Sequence, residues 1–131
     1  MRLGVNIDHI ATLREARAIN DPNPLEAVFI AKNAGAHQIT IHLREDRRHI
    51  HDTDVRSIIT QSPLPVNVEC ALDEGITEFL CAIKPHRITL VPEKRQEITT
   101  EGGLDLNTHS DTIAKTLARY TKHDIDTALF I

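Results

Sequence analysis

Short apolar segments alternate with longer amphipathic segments along this chain, and that alternation limits the possible folds more than any other feature. The short segments are rich in Val, Ile and Leu, which predicts strands, and the longer ones carry apolar residues three and four positions apart, which predicts helices. Such an alternation favours a parallel sheet covered by helices, an α/β fold. Strands are predicted at residues 2–7, 38–42, 65–69, 87–91 and 127–131, and helices at 24–34, 53–61, 109–121 and in a segment that Asp73 caps. The first of these helices is expected to stop at Gly35.

Two architectures show this alternation, the doubly wound sheet and the (β/α)8 TIM barrel, and two observations favour the barrel. No glycine-rich nucleotide-binding motif follows the first strand. Polar side chains also follow each of the first four strands, and in a barrel the carboxyl ends of all strands surround one mouth, where active sites lie. These side chains are Asn6, Asp8 and His9, then His42 and Arg44, then Glu69, then Glu93, Lys94 and Arg95.

The predicted elements account for only part of a barrel. A complete (β/α)8 barrel has eight strands and about 250 residues, whereas this chain of 131 residues supplies five predicted strands and four predicted helices. The last apolar segment, residues 128–131, has no helix after it to cover it. We therefore expect residues 1–131 to be the amino-terminal portion of a single (β/α)8 barrel domain.

Composition argues against several classes of partner. The 15 basic and 19 acidic residues give a net charge of −4, so the chain lacks the basic character typical of nucleic-acid-binding proteins, and three Phe and one Tyr offer few rings on which bases could stack. No apolar run approaches the roughly 20 residues that span a bilayer. Cys70 and Cys81 have no metal-type spacing and indicate buried thiols in a reducing compartment. We expect a cytoplasmic protein that binds neither nucleic acid nor membrane.

The segment after the second strand has the highest density of chemically active side chains. His42 ends that strand, and because imidazole exchanges a proton near neutral pH, this residue is the best candidate for a general acid or base. Arg44 lies two residues further, so it shares a face with His42 while the strand continues, and its guanidinium matches phosphate oxygens. The functional interpretation is a base beside a phosphate clamp. The alternative is a solvated, self-neutralised loop at residues 44–48.

Polar residues also follow the first strand. Asn6, Asp8 and His9 could recognise a hydroxylated, phosphorylated substrate, or they could cap a turn and pack in the core. Arg14 and Arg17 follow in a segment that continues to Asn23 without a predicted helix. Long connections at strand ends are usually functional or mobile, which favours the first interpretation.

Glu69 and the segment after the fourth strand complete the predicted mouth. Glu69 ends an otherwise apolar strand, and a carboxylate turned into a low-polarity cavity has a raised pKa that suits proton transfer. The alternative is a salt bridge between Glu69 and an arginine. Residues 92–103 are charged and polar and end in a Gly pair, which suits either a lid over a charged ligand or an exposed loop.

A metal site is a competing interpretation, because carboxylates and imidazoles could supply ligands. The candidate ligands are Asp8, His9, His42, His49, His51 and Glu69. The first strand has no His-x-His pair, and His49 and His51 fall in a predicted loop, so we expect no metal. A metal-dependent barrel hydrolase and a non-catalytic phosphate-binding module remain alternative functions.

Three long motifs resemble those of the pyridoxine 5′-phosphate synthase family of vitamin B6 biosynthesis. They are GVNIDHIATLR at residues 4–14, IHLREDRRHI at residues 41–50, and LVPEKRQE with TTEGGLD at residues 90–97 and 99–105. The resemblance extends in order along essentially the whole chain and covers the amino-terminal half of the family's barrel. It implies a transferase that condenses 1-deoxy-D-xylulose 5-phosphate with 3-amino-2-oxopropyl phosphate to give pyridoxine 5′-phosphate, phosphate and water.

The resemblance also implies individual roles. His42 and Glu69 would be proton acceptors, and a loop around Thr99 would close over the site. The family needs no cofactor and no metal, and it forms homo-oligomers, with an octamer implied. Asn6 and Arg17 would hold the aminoketone phosphate, and Asp8, His9, Arg44, His49 and Thr99 would hold the deoxyxylulose phosphate.

Two groups of the family's site have no counterpart in this sequence, namely a proton-donating histidine after the sixth strand and a Gly-His phosphate site on the last strands. We therefore predict that the purified 131-residue chain alone forms no pyridoxine 5′-phosphate, because it lacks a proton donor and one phosphate cradle. Chromatography of the product after incubation with both substrates measures this. A rate above that of the substrates without protein would contradict the prediction.

Overall fold

The structure, a computed structural model, describes residues 1–93 and 102–131, and this part of the chain forms five strands and five helices. Two helices lie between the first and second strands, and one helix lies between each later pair of strands. The strands are β1 (Gly4–Asn6), β2 (Gln38–His42), β3 (Val66–Cys70), β4 (Arg87–Leu90) and β5 (Asp126–Leu129). The helices are α1 (Asp8–Arg17), α2 (Pro24–Asn33), α3 (Asp52–Gln61), α4 (Glu74–Ile83) and α5 (Ser110–Lys122).

The five strands form one parallel sheet in the order β1-β2-β3-β4-β5. A doubly wound sheet reverses its strand order part-way, so that helices cover both faces. Here each strand lies beside its predecessor, and right-handed crossovers then place the helices on one face. This is the arrangement of part of a (β/α)8 barrel, and the predicted α/β class and partial barrel are confirmed.

One face of the sheet is apolar and forms the core with the helices. Burying each of these side chains contributes roughly 1.5–3 kcal/mol to stability, so this face supplies much of the energy of folding. Its fully buried side chains are Ile39 and Ile41 from β2, Val66 and Val68 from β3, and Ile88 and Leu90 from β4. The helices contribute Val28, Val55, Ile58, Ile76, Leu80 and Tyr120 to the same cluster.

The opposite face is polar and leads to the carboxyl ends of the strands. The Nδ2 of Asn67 donates to Thr40 Oγ1 at 3.4 Å, and the hydroxyl of Thr89 donates to Asn67 Oδ1 at 2.9 Å, so these side chains of β2, β3 and β4 share a face. Because strand side chains alternate, His42 and Glu69 lie on this face too, two residues beyond Thr40 and Asn67. In a barrel this face lines the interior.

Several predicted boundaries are confirmed. β2 has the predicted bounds, and the bounds of β1, β3, β4 and β5 differ from prediction by at most two residues. Helix α2 ends where Gly35 was expected to stop it. Gly35 adopts φ +93°, and the amides of Gly35 and Ala36 donate to the carbonyls of Lys32 and Ala31, the paired bonds of a glycine helix end.

The prediction of a long connection after β1 is wrong, because most of that segment is helix α1, and the predicted four helices become five in the described residues. Ala, Leu, Glu and Arg, which favour helix, make up much of α1. Its buried positions are Asp8, Ala11 and Arg14, two of them charged, so the apolar periodicity that marks a helix is missing. The helix propensity of its residues was the signal in the sequence that could have predicted α1.

Cys70 and Cys81 are buried free thiols, as predicted. Burial raises the pKa of Cys70 to about 12, which keeps its thiol protonated and unreactive. Its sulfur lies 3.9 Å from the hydroxyl of Tyr120, a ring buried between α5 and the sheet. In the described ranges no helix has the length and apolarity to cross a membrane.

Asp73 caps α4 as predicted, since its Oδ1 accepts the amide proton of Ile76 at 2.8 Å. Asp73→Ala should lower the free energy of unfolding by about 1 kcal/mol, because that amide loses its acceptor. Asp73→Asn keeps an acceptor of equal quality and should stay close to wild type. Urea unfolding followed by circular dichroism measures both variants, and equal losses for Ala and Asn would contradict the capping role.

Candidate active site

The end of β1 is tied to the end of β2 through Asp8, a buried residue in the first turn of α1. Its Oδ1 accepts the backbone N–H of His42 at 2.8 Å, and its Oδ2 accepts the Asn6 Nδ2 at 3.0 Å. Asn6 Oδ1 in turn accepts the backbone N–H of Asp8 at 2.8 Å. These bonds fix the main chain of His42.

The ring of His42 is buried, with 8% of its side chain exposed, at the centre of the polar mouth. Its Nε2 lies 3.0 Å from Oε1 of Glu93, but within residues 1–93 and 102–131 neither atom has a hydrogen bond of good alignment. The ring centroid of His49 is 6.3 Å away. Glu69 is the residue paired with His42 in the register of β2 and β3.

Glu93, just beyond β4, connects His42 to Arg44. Its side chain is 4% exposed, its Oε2 accepts the backbone N–H of Glu45 at 2.9 Å, and its Oε1 lies 3.7 Å from Nε of Arg44. Burial by itself raises the pKa of Glu93, but the His42 ring, the Glu45 amide and the Arg44 charge outweigh burial and hold the pKa below its usual value. Glu93 is therefore a buried carboxylate at neutral pH.

The arginines after β2 divide into two groups. Arg44 is buried, with 4% of its side chain exposed, and faces Glu93. Arg47 and Arg48 are about one-third exposed and pair with Asp52 at 2.7 Å and Asp46 at 2.6 Å. The alternative of a solvated, self-neutralised loop therefore describes Arg47 and Arg48, and it does not describe Arg44.

His49 lies half-buried beside His42 and is held by its own backbone. Burial lowers the pKa of His49, and the nearby Asp8 opposes that shift without cancelling it. Its Nδ1 accepts the backbone N–H of Ile50 at 2.8 Å, so the neutral ring carries its proton on Nε2 and can donate from there.

Arg14 holds the main chain at His49 in place. Its guanidinium donates to both carboxylate oxygens of Asp54, at 2.7 and 2.9 Å, and to the carbonyl of His49 at 2.8 Å. The hydrogen bond to Asp54 is the main reason that the pKa of Arg14 is raised further. Because Asp54 lies in α3, this clasp links α1, the His49 segment and α3.

Glu69 points from the end of β3 toward the same mouth. Burial raises its pKa, the charge of Asp8 adds to that effect, and His42 opposes it. In the described part of the chain its carboxylate has no hydrogen bond or ion pair, so the predicted alternative, a salt bridge to an arginine, is absent there. A carboxyl group of raised pKa beside an imidazole can exchange protons with a bound molecule.

Three predicted site residues do not join this cluster through described contacts. His9 is exposed in the first turn of α1. Arg17 is exposed in the last turn, about 14 Å along the helix from Asp8, and lies 3.9 Å from Asp21. Thr99, with the predicted lid around it, lies outside the described residues. The roles predicted for these three residues stay predictions.

Two residues of the cluster were not among the predicted site residues. Glu93 was noted only as a polar residue after β4, and its position at a strand end was the signal that could have identified it. Arg14 was noted only as part of a connection, and nothing in the sequence indicates its pairing with Asp54. Within residues 1–93 and 102–131 no group of three or more His, Cys, Asp and Glu side chains is arranged to hold a metal ion.

The comparison with known proteins agrees with the motifs. The family model described as "Pyridoxal phosphate biosynthesis protein PdxJ" matches residues 3–131. The chain belongs to the PdxJ family. It is 72% identical to a pyridoxine 5′-phosphate synthase of Helicobacter hepaticus, 65% to one of Wolinella succinogenes and 59% to one of Aliarcobacter butzleri, each over all 131 residues.

The PdxJ-family chain spans about half the length of the curated relatives it matches, at 49% of the Helicobacter hepaticus protein and 50% of the other two. The predicted resemblance to this family is therefore confirmed, as is the extent of the match. The described cluster lies in the portion that these relatives share with the chain.

The raised pKa of Glu69 predicts a pH-dependent stability. Folding favours the protonated carboxyl, so its contribution is fully present below the ordinary pKa of 4.5 and is lost as pH rises through the higher pKa of the folded state. The neutral, isosteric variant Glu69→Gln should therefore have a larger free energy of unfolding than wild type at about pH 8, and the difference should vanish below about pH 4.

Urea unfolding at a series of pH values measures this difference. Glu78→Gln, which removes an exposed carboxylate on α4, is the matched control and should show no comparable gain at high pH. If the free energy of unfolding of wild type at about pH 8 equals or exceeds that of Glu69→Gln, the buried charge at residue 69 does not destabilise the fold.

Proposed function

We propose that the whole protein containing this chain is a pyridoxine 5′-phosphate synthase, which condenses 1-deoxy-D-xylulose 5-phosphate with 3-amino-2-oxopropyl phosphate. Membership of the PdxJ family and the names of the relatives support this proposal. The observation that carries it is the close grouping of two proton-transfer groups, His42 and Glu69, with the buried cation Arg44. When phosphorylated substrates condense into a ring, proton-transfer groups are needed for the chemistry and a cation is needed to hold the phosphate.

Both proposed bases suit the proton transfers of such a condensation. Formation of an imine, loss of water and ring closure each require a proton to leave one atom and reach another. Glu69, whose pKa is raised by burial, can hold a proton nearer neutral pH than an ordinary carboxyl group. In the proposal His42 and Glu69 accept protons from the substrate.

The phosphate and hydroxyl groups of the substrates need donors around these bases. Arg44 and the neutral His49, which donates from Nε2, suit the deoxyxylulose phosphate. In the proposal the same substrate is also bound by Asp8, His9 and Thr99, and the aminoketone phosphate is bound by Asn6 and Arg17.

We also propose that the whole protein is a cytoplasmic homo-oligomer, an octamer by family resemblance. Exposed apolar side chains on the first two helices support association. Leu13 is 50% exposed on α1, and Phe29 and Ile30 are 43% and 69% exposed on α2. A second subunit that covered these side chains would remove their apolar surface from water.

A chimera that joins residues 1–131 to the carboxy-terminal half of the Helicobacter hepaticus relative tests the function. The chimera should form pyridoxine 5′-phosphate, and His42→Ala should lower kcat by about 100- to 10,000-fold, because a general base is lost. His123→Ala is the matched control, since His123 lies at the end of α5 and contacts the carbonyl of Arg119. Near-normal kcat in His42→Ala would remove His42 from the reaction, and a folded but inactive chimera would argue against the proposed function.

A further inference from the structure

We propose that Glu93 is a positioning residue that holds the proton of His42 on Nε2, so that Nδ1 is the proton-accepting atom, and that Glu93 competes with a bound phosphate for Arg44. The inference rests on the proposed function, in which His42 is a base and Arg44 binds phosphate. It adds to that function a role for Glu93, the tautomer of His42, and the His42 atom that accepts the proton.

Glu93 is placed to act on both residues at once. One carboxylate oxygen, Oε1, lies 3.0 Å from His42 Nε2 and 3.7 Å from Arg44 Nε, while the other, Oε2, accepts the Glu45 amide at 2.9 Å. The side chain is 4% exposed, so water screens these contacts little. The Glu45 bond fixes one oxygen, and the remaining oxygen faces His42 and Arg44.

A carboxylate beside a ring nitrogen selects one tautomer. An ionised carboxylate only accepts hydrogen bonds, so the nitrogen that faces it carries the proton and the other nitrogen keeps its lone pair. Glu93 faces Nε2, which leaves Nδ1 of His42 as the basic atom. In the described residues Nδ1 has no hydrogen-bond partner, so it is free to accept a proton from a bound molecule.

The contact between His42 and Glu93 is close but not yet aligned. Nε2 and Oε1 are buried, 3.0 Å apart, and without a well-directed hydrogen bond in the described residues. Buried polar groups in this state are rare and usually have a functional explanation, and catalytic hydrogen bonds often become aligned only when substrate binds. Because Asp8 fixes the backbone N–H of His42, a rotation of the ring is the motion that completes the bond.

Arg44 connects this rotation to phosphate binding. The carboxylates of Glu93 and Asp46 lie 3.7 and 3.6 Å from Arg44 Nε. A phosphate group that binds Arg44 competes with Glu93 for the guanidinium. As the attraction between Arg44 and Glu93 weakens, Oε1 becomes available to His42. Binding of the phosphate therefore favours the tautomer that can accept a proton.

The tautomer is measured directly by long-range ¹H–¹⁵N correlation of the histidine rings in the ¹⁵N-labelled 131-residue chain, at a pH at which the rings are neutral. In wild type the ring of His42 should carry its proton on Nε2. In Glu93→Gln the amide nitrogen can take the place of Oε1 and donate to Nε2, so the proton should move to Nδ1. The signals of His42 are assigned by their loss in His42→Gln.

Kinetics of the chimera provide the second readout. Glu93→Gln should lower kcat by roughly 10- to 100-fold, because the base is held in the wrong tautomer. The KM for the deoxyxylulose phosphate should not rise, because Arg44 loses a competing carboxylate. Glu93→Asp keeps the charge and should recover part of kcat, and Glu78→Gln on the surface of α4 should leave both constants unchanged.

Each result decides one claim. The inference is overturned if His42 of wild type carries its proton on Nδ1, if Glu93→Gln leaves the tautomer in place, or if kcat of Glu93→Gln stays within about threefold of the parent. A rise in KM with unchanged kcat would show a binding role only.

If Glu93→Gln does not fold, Glu93→Asp is compared in both readouts. An inactive parent chimera counts against the proposed function, whereas the ring measurement still tests the contact between His42 and Glu93.

Discussion

The strict alternation of apolar and polar side chains along the parallel strands is the constraint on which the rest of the structure depends. Ile39 and Ile41 point into the core with the helices, while Thr40 and His42 point to the other face. A shift of one residue in register would exchange the two sets and bury the polar one against the helices. The same alternation therefore specifies the core and the candidate site. A change in strand register that disrupted one would disrupt the other.

Charge balance is the second requirement, because the mouth holds acids and bases at short range with little water. Arg44 lies between Glu93 and Asp46, and Glu93 contacts His42 as well. Removing one member of such a group leaves its partner buried without compensation, which costs more than the pair itself contributes. Asp8 differs from these side chains, since its bonds to Asn6 and to the backbone of His42 make it part of the frame.

The sequence predicted the features that depend on local chemistry and failed where distant residues decide. β2 has the predicted bounds, and Gly35 and Asp73 end and begin helices as expected, because each depends on its own backbone or side chain. Helix α1 was missed because two of its three buried side chains, Asp8 and Arg14, are charged. Their partners, the His42 backbone and Asp54, lie 34 and 40 residues away in the sequence. The ends of the strands indicated where the candidate site lies, because the carboxyl ends of all strands of a barrel surround one mouth. The contact of Glu93 with His42 joins two strand ends, and no spacing in the sequence encodes it.

In the part of the chain that the structure describes, the buried side-chain atoms without a well-aligned hydrogen bond lie at this mouth. Glu69 has a pKa raised by burial, and the Nε2 of His42 and the Oε1 of Glu93 lie close together without an aligned bond in the described residues. Side chains selected for stability alone would be apolar or fully hydrogen-bonded there, as they are on the helix-covered face. In the proposed function a bound substrate supplies the missing hydrogen-bond donors, so the cost to the free protein becomes selectivity for that substrate. The unfavourable electrostatics of the unliganded mouth and its proposed chemistry are thus two consequences of one arrangement of side chains.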